Sequence, residues 1–410
     1  MTGDSDEPAR VLSGLRVVEM ASFIFGPAAA TIMSDFGAEV IKIEPPVTGD
    51  PYRYLYQLPP MPVAAMNYCW LLEARNKKSV ALDLKQEAGR EVLLKLVRTA
   101  DVFVTNYQPS VLRALRLSES DLRPLNGRLI YAHATGYGEH GPAVEQPGYD
   151  MTAFWSRSGL MADVVAAGGE PALSLAGMGD HPAASALFGA IMLALYRRER
   201  TGEGTKVSSS LAANGAWANA CVLQAELCGG EGFKHQSQAA PSNVMVNHYV
   251  AQDGKRFMLC CLRPEQDWPR LCQAVCREDL RNDERFATVA ARRQHSRELA
   301  AVLNACFATR PLAEWQAIFD RLDLVWTAVL PAAEVIQCPQ LAANDVFVRY
   351  DGAELNGLRT VNSPISMANE PKQRPQPPPT LGQHTCEVLT SLGYSPATID
   401  RLASERAIQL

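Results

Sequence analysis

The chain is predicted to be an α/β protein: a Rossmann-like, doubly wound parallel sheet forms a large domain, and a smaller α+β domain is attached to it. Three observations predict this. Short apolar strand patterns alternate with helical patterns from residue 15 to residue 135. A polar, irregular stretch interrupts the chain at 229–244, and the pattern beyond it changes to a hairpin followed by amphipathic helices.

Leu15 to Ala21 (LRVVEMA) reads as a buried strand, Pro27 to Phe36 as a short helix ending at Gly37, and Ala38 to Glu44 (AEVIKIE) as a second strand. That is one βαβ unit. It continues with strand Ser79 to Leu84, helix Gln86 to Arg98, strand Val102 to Tyr107, a helical stretch from Pro109 and strand Arg128 to Thr135. In such sheets ligands bind beyond the carboxyl ends of the strands, which points to Phe23, Ile24, Phe25, the run Asn106-Tyr107-Gln108, and Gly136-Tyr137-Gly138. The turn after the first strand, FIFGPAAA, carries neither GxGxxG nor GxxxxGK[ST], so no dinucleotide such as NAD is indicated.

Further on, a helix is expected from Asp180 to Arg200, a strand from Thr205 to Leu211 and a helix from Ala213 to Leu227. VNHYVAQDGKRFMLCCL reads as two antiparallel strands joined at Asp253-Gly254, and three helices follow around Trp268 to Val275, Arg297 to Phe307 and Leu312 to Leu322. Val325 to Leu330 should lead away from this domain. Pro371 to Pro379 should be an extended polyproline strap, and Leu381 to Leu392 and Pro396 to Ser404 short closing helices. The expected division is 1–228 for the first part of the large domain, 229–244 for a linker, 245–330 for the small domain and 331–410 for the return.

A hydrophobic fraction of 47% is ample for a sizeable core. The net charge of −5, without a long basic run, argues against nucleic acid as a partner. MTGDSDEPAR is acidic where a secretory signal would be basic and then apolar, and the longest apolar run, Leu187 to Leu195, is too short to span a bilayer. No membrane association and a cytoplasmic location are expected. The 10 cysteines form no CxxC and no zinc-type pairing with histidine, so no metal is expected.

The stretch SLAGMGDHPAASALFGAIMLALYRRERTGEGTKVSSSL, 174–211, carries the chemistry. Gly177 and Gly179 deliver Asp180 to the start of an apolar helix that stops at Thr201-Gly202. Locally, Asp180 reads as an N-cap whose carboxylate accepts first-turn N–H groups. Alternatively, the helix end keeps a carboxylate ionised while flanking glycines clear space for a substrate.

In order and spacing, several segments together resemble the family III CoA-transferases: LSGLRVVEM with GAEVIKIEPP, NKKSVALDLK at 76–85, ADVFVTNYQPSVL at 100–112, Gly136-Tyr137, PGYD at 147–150, GMGDHP, RERTGEGTKV and LGQHT at 381–385. The resemblance covers nearly the whole chain. It implies an acyl-CoA:carboxylate CoA-transferase in which Asp180 is the covalent nucleophile, acyl-CoA and a small carboxylic acid are the substrates, and two ring-like chains interlock as a homodimer. It further implies that Leu82, Lys85, Asn106, Tyr107 and Tyr137 neighbour coenzyme A, and that Phe23, Ile24 and Phe25 line its channel.

The sequence also departs from the family's pattern. Pro45 stands where formyl-CoA transferase has an arginine, and Ala114 where the family often has one. The tetraglycine loop is absent, with APSNVMVNHY at 240–249 in its region. Related 2-methylacyl-CoA racemases pair a histidine with the aspartate, and here Tyr149 occupies that position, a poor replacement for imidazole at neutral pH. Because His181 is next to Asp180 and His140 lies in GEHGP, an acyl-CoA racemase or isomerase stays open, as does a CoA-binding protein without turnover. Phe154, Trp155 and Met178 would give an apolar wall, favouring medium or aromatic acyl groups over oxalate, if they face the site.

Overall fold

The computed structural model describes residues 10–232 and 234–410. The acidic N-terminal stretch read above therefore lies outside the described residues apart from Arg10, and so does Phe233 of the linker. Two compact units divide the chain. One takes in the described residues of Met1–Met161, Leu173–Gly230 and Ala343–Leu410, and the other Ala162–Ala172 and Glu231–Ala342.

Six parallel strands carry the first unit: β1 (Arg16–Met20), β2 (Glu39–Glu44), β3 (Lys77–Leu82), β4 (Val102–Thr105), β5 (Ile130–Thr135) and β6 (Lys206–Ser210). They lie in the order 3-2-1-4-5-6, the doubly wound arrangement. The period of two sorts their side chains: Val17, Val40, Val102 and Ile130 pack to one face, Val18, Ile41, Phe103 and Tyr131 to the other. The helices Phe25–Asp35 and Asp180–Thr201 cover the first face, and Glu87–Val97, Thr385–Ser391 and Pro396–Ser404 the second. A seventh, antiparallel strand of only two residues, Ile408–Gln409, closes the edge beside β3.

The C-terminal return is tied to the same unit. Along the proline-rich strap, the Gln373 amide donates to the Asp35 carbonyl at 2.7 Å, and the Trp70 indole donates to the Pro379 carbonyl at 3.0 Å. The helix expected at Ala213 to Leu227 is two helices, Leu211–Ala218 and Ala220–Leu227, parted at Asn219. There the Asn219 side-chain amide nitrogen donates to the Ser158 carbonyl at 3.3 Å.

In the second unit, β7 (Val246–Val250), β8 (Arg256–Cys260) and β9 (Trp326–Ala328) form an antiparallel sheet. Helices Pro264–Ala274, Ser296–Phe307 and Leu312–Arg321 accompany it around an aromatic core of Tyr249, Phe257, Phe307, Trp315 and Phe319. Val325 to Leu330 thus does not lead away. Its central residues pair with β8, because Trp326 and Ala328 pack against the same core.

Candidate active site

Strand order reverses between β1 and β4, and a crevice opens there beyond their carboxyl ends. A cavity of about 440 Å³ occupies it, lined by Phe23, Ile24, Phe25, Asn106, Tyr107, Gly136, Tyr149 and Asp180 among others. A second cavity of about 570 Å³ shares Ser22 and Tyr107 with it and reaches Pro45 and Tyr54. Among the described residues, neither lining includes a lysine or arginine.

Asp180 is the first residue of its helix, and Gly179 holds the cap position. The expected cap is therefore not made by Asp180, which lies one residue too far in. Asp150 makes it from 30 residues earlier: its Oδ2 accepts the Gly179 amide at 2.7 Å and the Asp180 amide at 3.1 Å. The Asp180 carboxylate accepts no hydrogen bond from the described residues, so the helix end does not hold it ionised. Burial and then the neighbouring Asp150 carboxylate push its pKa from the ordinary 3.8 up to about 7, and His181 pulls the other way.

The glycines around this turn serve close contacts. Gly136 and Gly148 meet backbone to backbone, where a Cβ on Gly136 would lie 2.6 Å from Gly148 Cα. Two short motifs of the sequence are thus one contact, and it leads directly into the π-helical segment Asp150–Ser156. Phe154 of that segment lies under Gly179, where an added Cβ would come within 2.2 Å of the Phe154 ring. Gly179→Ala should therefore displace Asp180. We expect a loss of about 10²-fold in kcat/KM with destabilisation of about 1–3 kcal/mol; steady-state kinetics and thermal melts at wild-type values would contradict this packing.

Phe154, under the turn, and Trp155 are both buried and, like the half-exposed Met178, are not in the cavity lining, so they do not form the expected wall. The apolar lining comes instead from Phe23, Ile24, Val111, Tyr149 and Leu211. The Phe23 and Tyr149 rings meet edge to face at 5.9 Å.

The loop after β1 is held in place by buried charges. Phe23 sits at φ +63°, a backbone region that side chains disfavour. Its amide donates to Asp50 Oδ1 at 3.1 Å, and Asp50 Oδ2 meets Lys42 Nζ at 2.8 Å. Lys42 also donates to Glu19 at 2.6 Å, and the other oxygen of Glu19 takes Lys77 at 2.7 Å. The sequence signal was present: Glu19 and Lys42 are charges inside otherwise apolar strands, which call for partners when buried. Asn106 is also committed, its side chain pairing with the Ser22 backbone through both amide positions at 2.9 and 2.7 Å, which ties the two switch-point loops together.

His181 Nδ1 faces the Gly177 carbonyl at 2.8 Å and its Nε2 faces Glu73 Oε1 at 2.7 Å. Glu73, on the helix Tyr68–Ala74, is buried and was not singled out from the sequence. Burial works against charge on the ring, but the hydrogen bond and charge of Glu73 outweigh it and hold the pKa at about 9. His140 is exposed and outside the cavity lining.

Three residues named as coenzyme A neighbours are not part of either cavity lining. Leu82 is buried in the sheet core, Lys85 is exposed at the turn before Glu87–Val97, and Tyr137 packs beside Gly148 and Arg157. Among the described residues, no helix is long and apolar enough to cross a membrane and no cluster of three or more His, Cys, Asp or Glu is placed to hold a metal ion.

Comparison with known proteins meets this geometry. The family described as CoA-transferase family III matches residues 12–385. The chain is 31% identical to the (R)-2-hydroxy-4-methylpentanoate CoA-transferase of Clostridioides difficile, over 97% of this chain and 100% of that one. It is 30% identical to the cinnamoyl-CoA:phenyllactate CoA-transferase of Clostridium sporogenes, over 98% of each. A crystal structure of a CAIB/BAIF family protein from Brucella suis superposes with a TM-score of 0.83 at 27% identity, covering 94% of this chain and 100% of that one. With that match along almost its whole length, the chain belongs to CoA-transferase family III and is a CoA-transferase.

Proposed function

We propose that the enzyme moves coenzyme A from a donor thioester to a free carboxylic acid through covalent intermediates on Asp180. The observation that carries this reading is a half-buried carboxylate, free of hydrogen bonds from the described residues, in a cavity at the switch point of the sheet. An Asp180 oxygen attacks the thioester carbonyl, the C–S bond breaks and CoA thiolate leaves, giving a mixed anhydride. The thiolate then attacks the aspartyl carbonyl, releasing the donor acid and leaving an aspartyl-CoA thioester. The acceptor carboxylate attacks that carbonyl in turn, forming a second anhydride. The returning thiolate takes the acceptor acyl group and regenerates Asp180.

Desolvation serves this chemistry twice. It strips water from the carboxylate oxygens and keeps water from two intermediates that hydrolyse readily. Attack needs the ionised form, so a pKa raised to about 7 makes kcat/KM rise with pH, about tenfold per unit below that point. A profile flat between pH 5.5 and 8 would contradict this.

The lining supports a monocarboxylic acid with an apolar or aromatic body, because among the described residues no cation faces the cavity to pair with a second carboxylate. The names of the two bacterial relatives agree with that class. Kinetics with 4-methylpentanoate and 3-phenylpropanoate against glutarate and oxalate should favour the first pair at least about tenfold, the discrimination that an unpaired buried charge imposes. The racemase reading is less well supported, since both nitrogens of His181 face acceptors and Tyr149 replaces the second base. The proposal includes the interlocked homodimer and the cytoplasmic setting; sedimentation at monomer mass would remove the former.

A further inference from the structure

Outside the reacting carboxylate, one group of side chains is built with unusual completeness. His181 faces two groups, the Gly177 carbonyl at 2.8 Å and Glu73 Oε1 at 2.7 Å, and with Glu73 ionised both are acceptors, which calls for a hydrogen on each ring nitrogen. Such a ring is an imidazolium. Gly177 belongs to the turn that ends in Asp180 and sits at φ +77°, and a Cβ there would come within 2.6 Å of the His181 ring. Turn and ring therefore fit each other closely. Glu73 is anchored from behind, since the Thr31 hydroxyl donates to its backbone carbonyl at 2.7 Å.

We propose that Glu73 and His181 are a positioning pair for Asp180: Glu73 keeps His181 an imidazolium, which clamps the Gly177 carbonyl of the turn and places a positive charge beside the Asp180 carboxylate. The proposal rests on the reading of Asp180 as nucleophile. A fixed cation there favours the ionised carboxylate that attacks, and it offsets the Asp150 carboxylate that caps the same helix. Other titratable groups complete the surroundings. Tyr52 and Cys69 are within electrostatic reach of Glu73, Tyr52 also of Asp180, and Arg75 and Lys77 add positive charge near Glu73. None of these receives a ring nitrogen of His181. The pair does not touch the reacting atoms, so neither member is a catalytic residue.

The test has one arm that needs no turnover. Nitrogen-15 spectra of histidine-labelled enzyme, with the His181 signal assigned by its loss in His181→Gln, should show both ring nitrogens protonated at pH 7.5. In Glu73→Gln the His181 titration should move down by at least about one pH unit, the size expected when an adjacent charge is removed. The second arm is kinetic. In His181→Gln the acid limb of kcat/KM should move up by about one pH unit, giving about tenfold lower activity at pH 6 and convergence with wild type above pH 9.

Titration of His181 at or below the ordinary 6.5 in wild type would overturn the proposal. So would a His181→Gln profile reduced equally at every pH, which is what a merely structural residue would give. Mass spectrometry of Asp180 in the same preparations separates the two readings. A normal adduct with a low His181 titration removes the pair alone, whereas an imidazolium without any adduct removes the nucleophile and leaves the clamp.

Discussion

Asp180→Asn is expected to abolish CoA transfer, lowering kcat on the order of 10³-fold or more, and to melt at a higher temperature than wild type above pH 7. The two halves share one cause. An amide cannot open the thioester, so the covalent route is closed whatever else binds. The stability half follows from linkage. With its pKa raised from 3.8 to about 7, the native Asp180 holds a proton that the unfolded chain has already lost, so wild-type stability falls as pH rises through that window. The amide never carries that charge and is spared the loss. A melt series from pH 5 to 8.5 should show the two proteins diverging upward in pH. Equal melting temperatures throughout would mean that Asp180 is an ordinary solvated carboxylate.

Glu19→Gln should destabilise the sheet-bearing unit by about 3–5 kcal/mol, the cost of breaking a buried ion pair from one side. Glu19 accepts Lys42 with one oxygen and Lys77 with the other, and all three side chains are buried. Lys42 keeps Asp50 and the Ala21 carbonyl, whereas among the described residues Lys77 keeps only the Pro27 carbonyl at 2.8 Å. The orphaned ammonium of Lys77 dominates the loss. Glu387→Gln is the control, because it removes an exposed partner of Lys78 and should have little effect. Urea unfolding that finds the two variants alike would show that the buried charges are not mutually dependent.

How much of this was legible beforehand depended on range. The alternation of strand and helix patterns located β1 to β5, because a buried parallel strand announces itself locally. Their spatial order did not follow from alternation, and the two-residue edge strand Ile408–Gln409 is too short to leave a periodic signal. At the site, Asp180 was visible from its glycines and helix, yet its role as a cap was misassigned. The true cap, Asp150, reaches it through a fold contact and not a sequence pattern. Glu73 lies 108 residues from His181, and no local rule joins them. Phe154 and Trp155 looked like a pocket wall because apolar residues beside a site and apolar residues beneath it have the same composition.

The most direct test of covalent transfer is mass spectrometry of the Asp180 peptide after the enzyme meets a donor acyl-CoA and is quenched with hydroxylamine. The mechanism predicts a hydroxamate on Asp180, formed from the aspartyl thioester and absent without donor. An unmodified Asp180 peptide in an enzyme that is transferring CoA at full rate would contradict it.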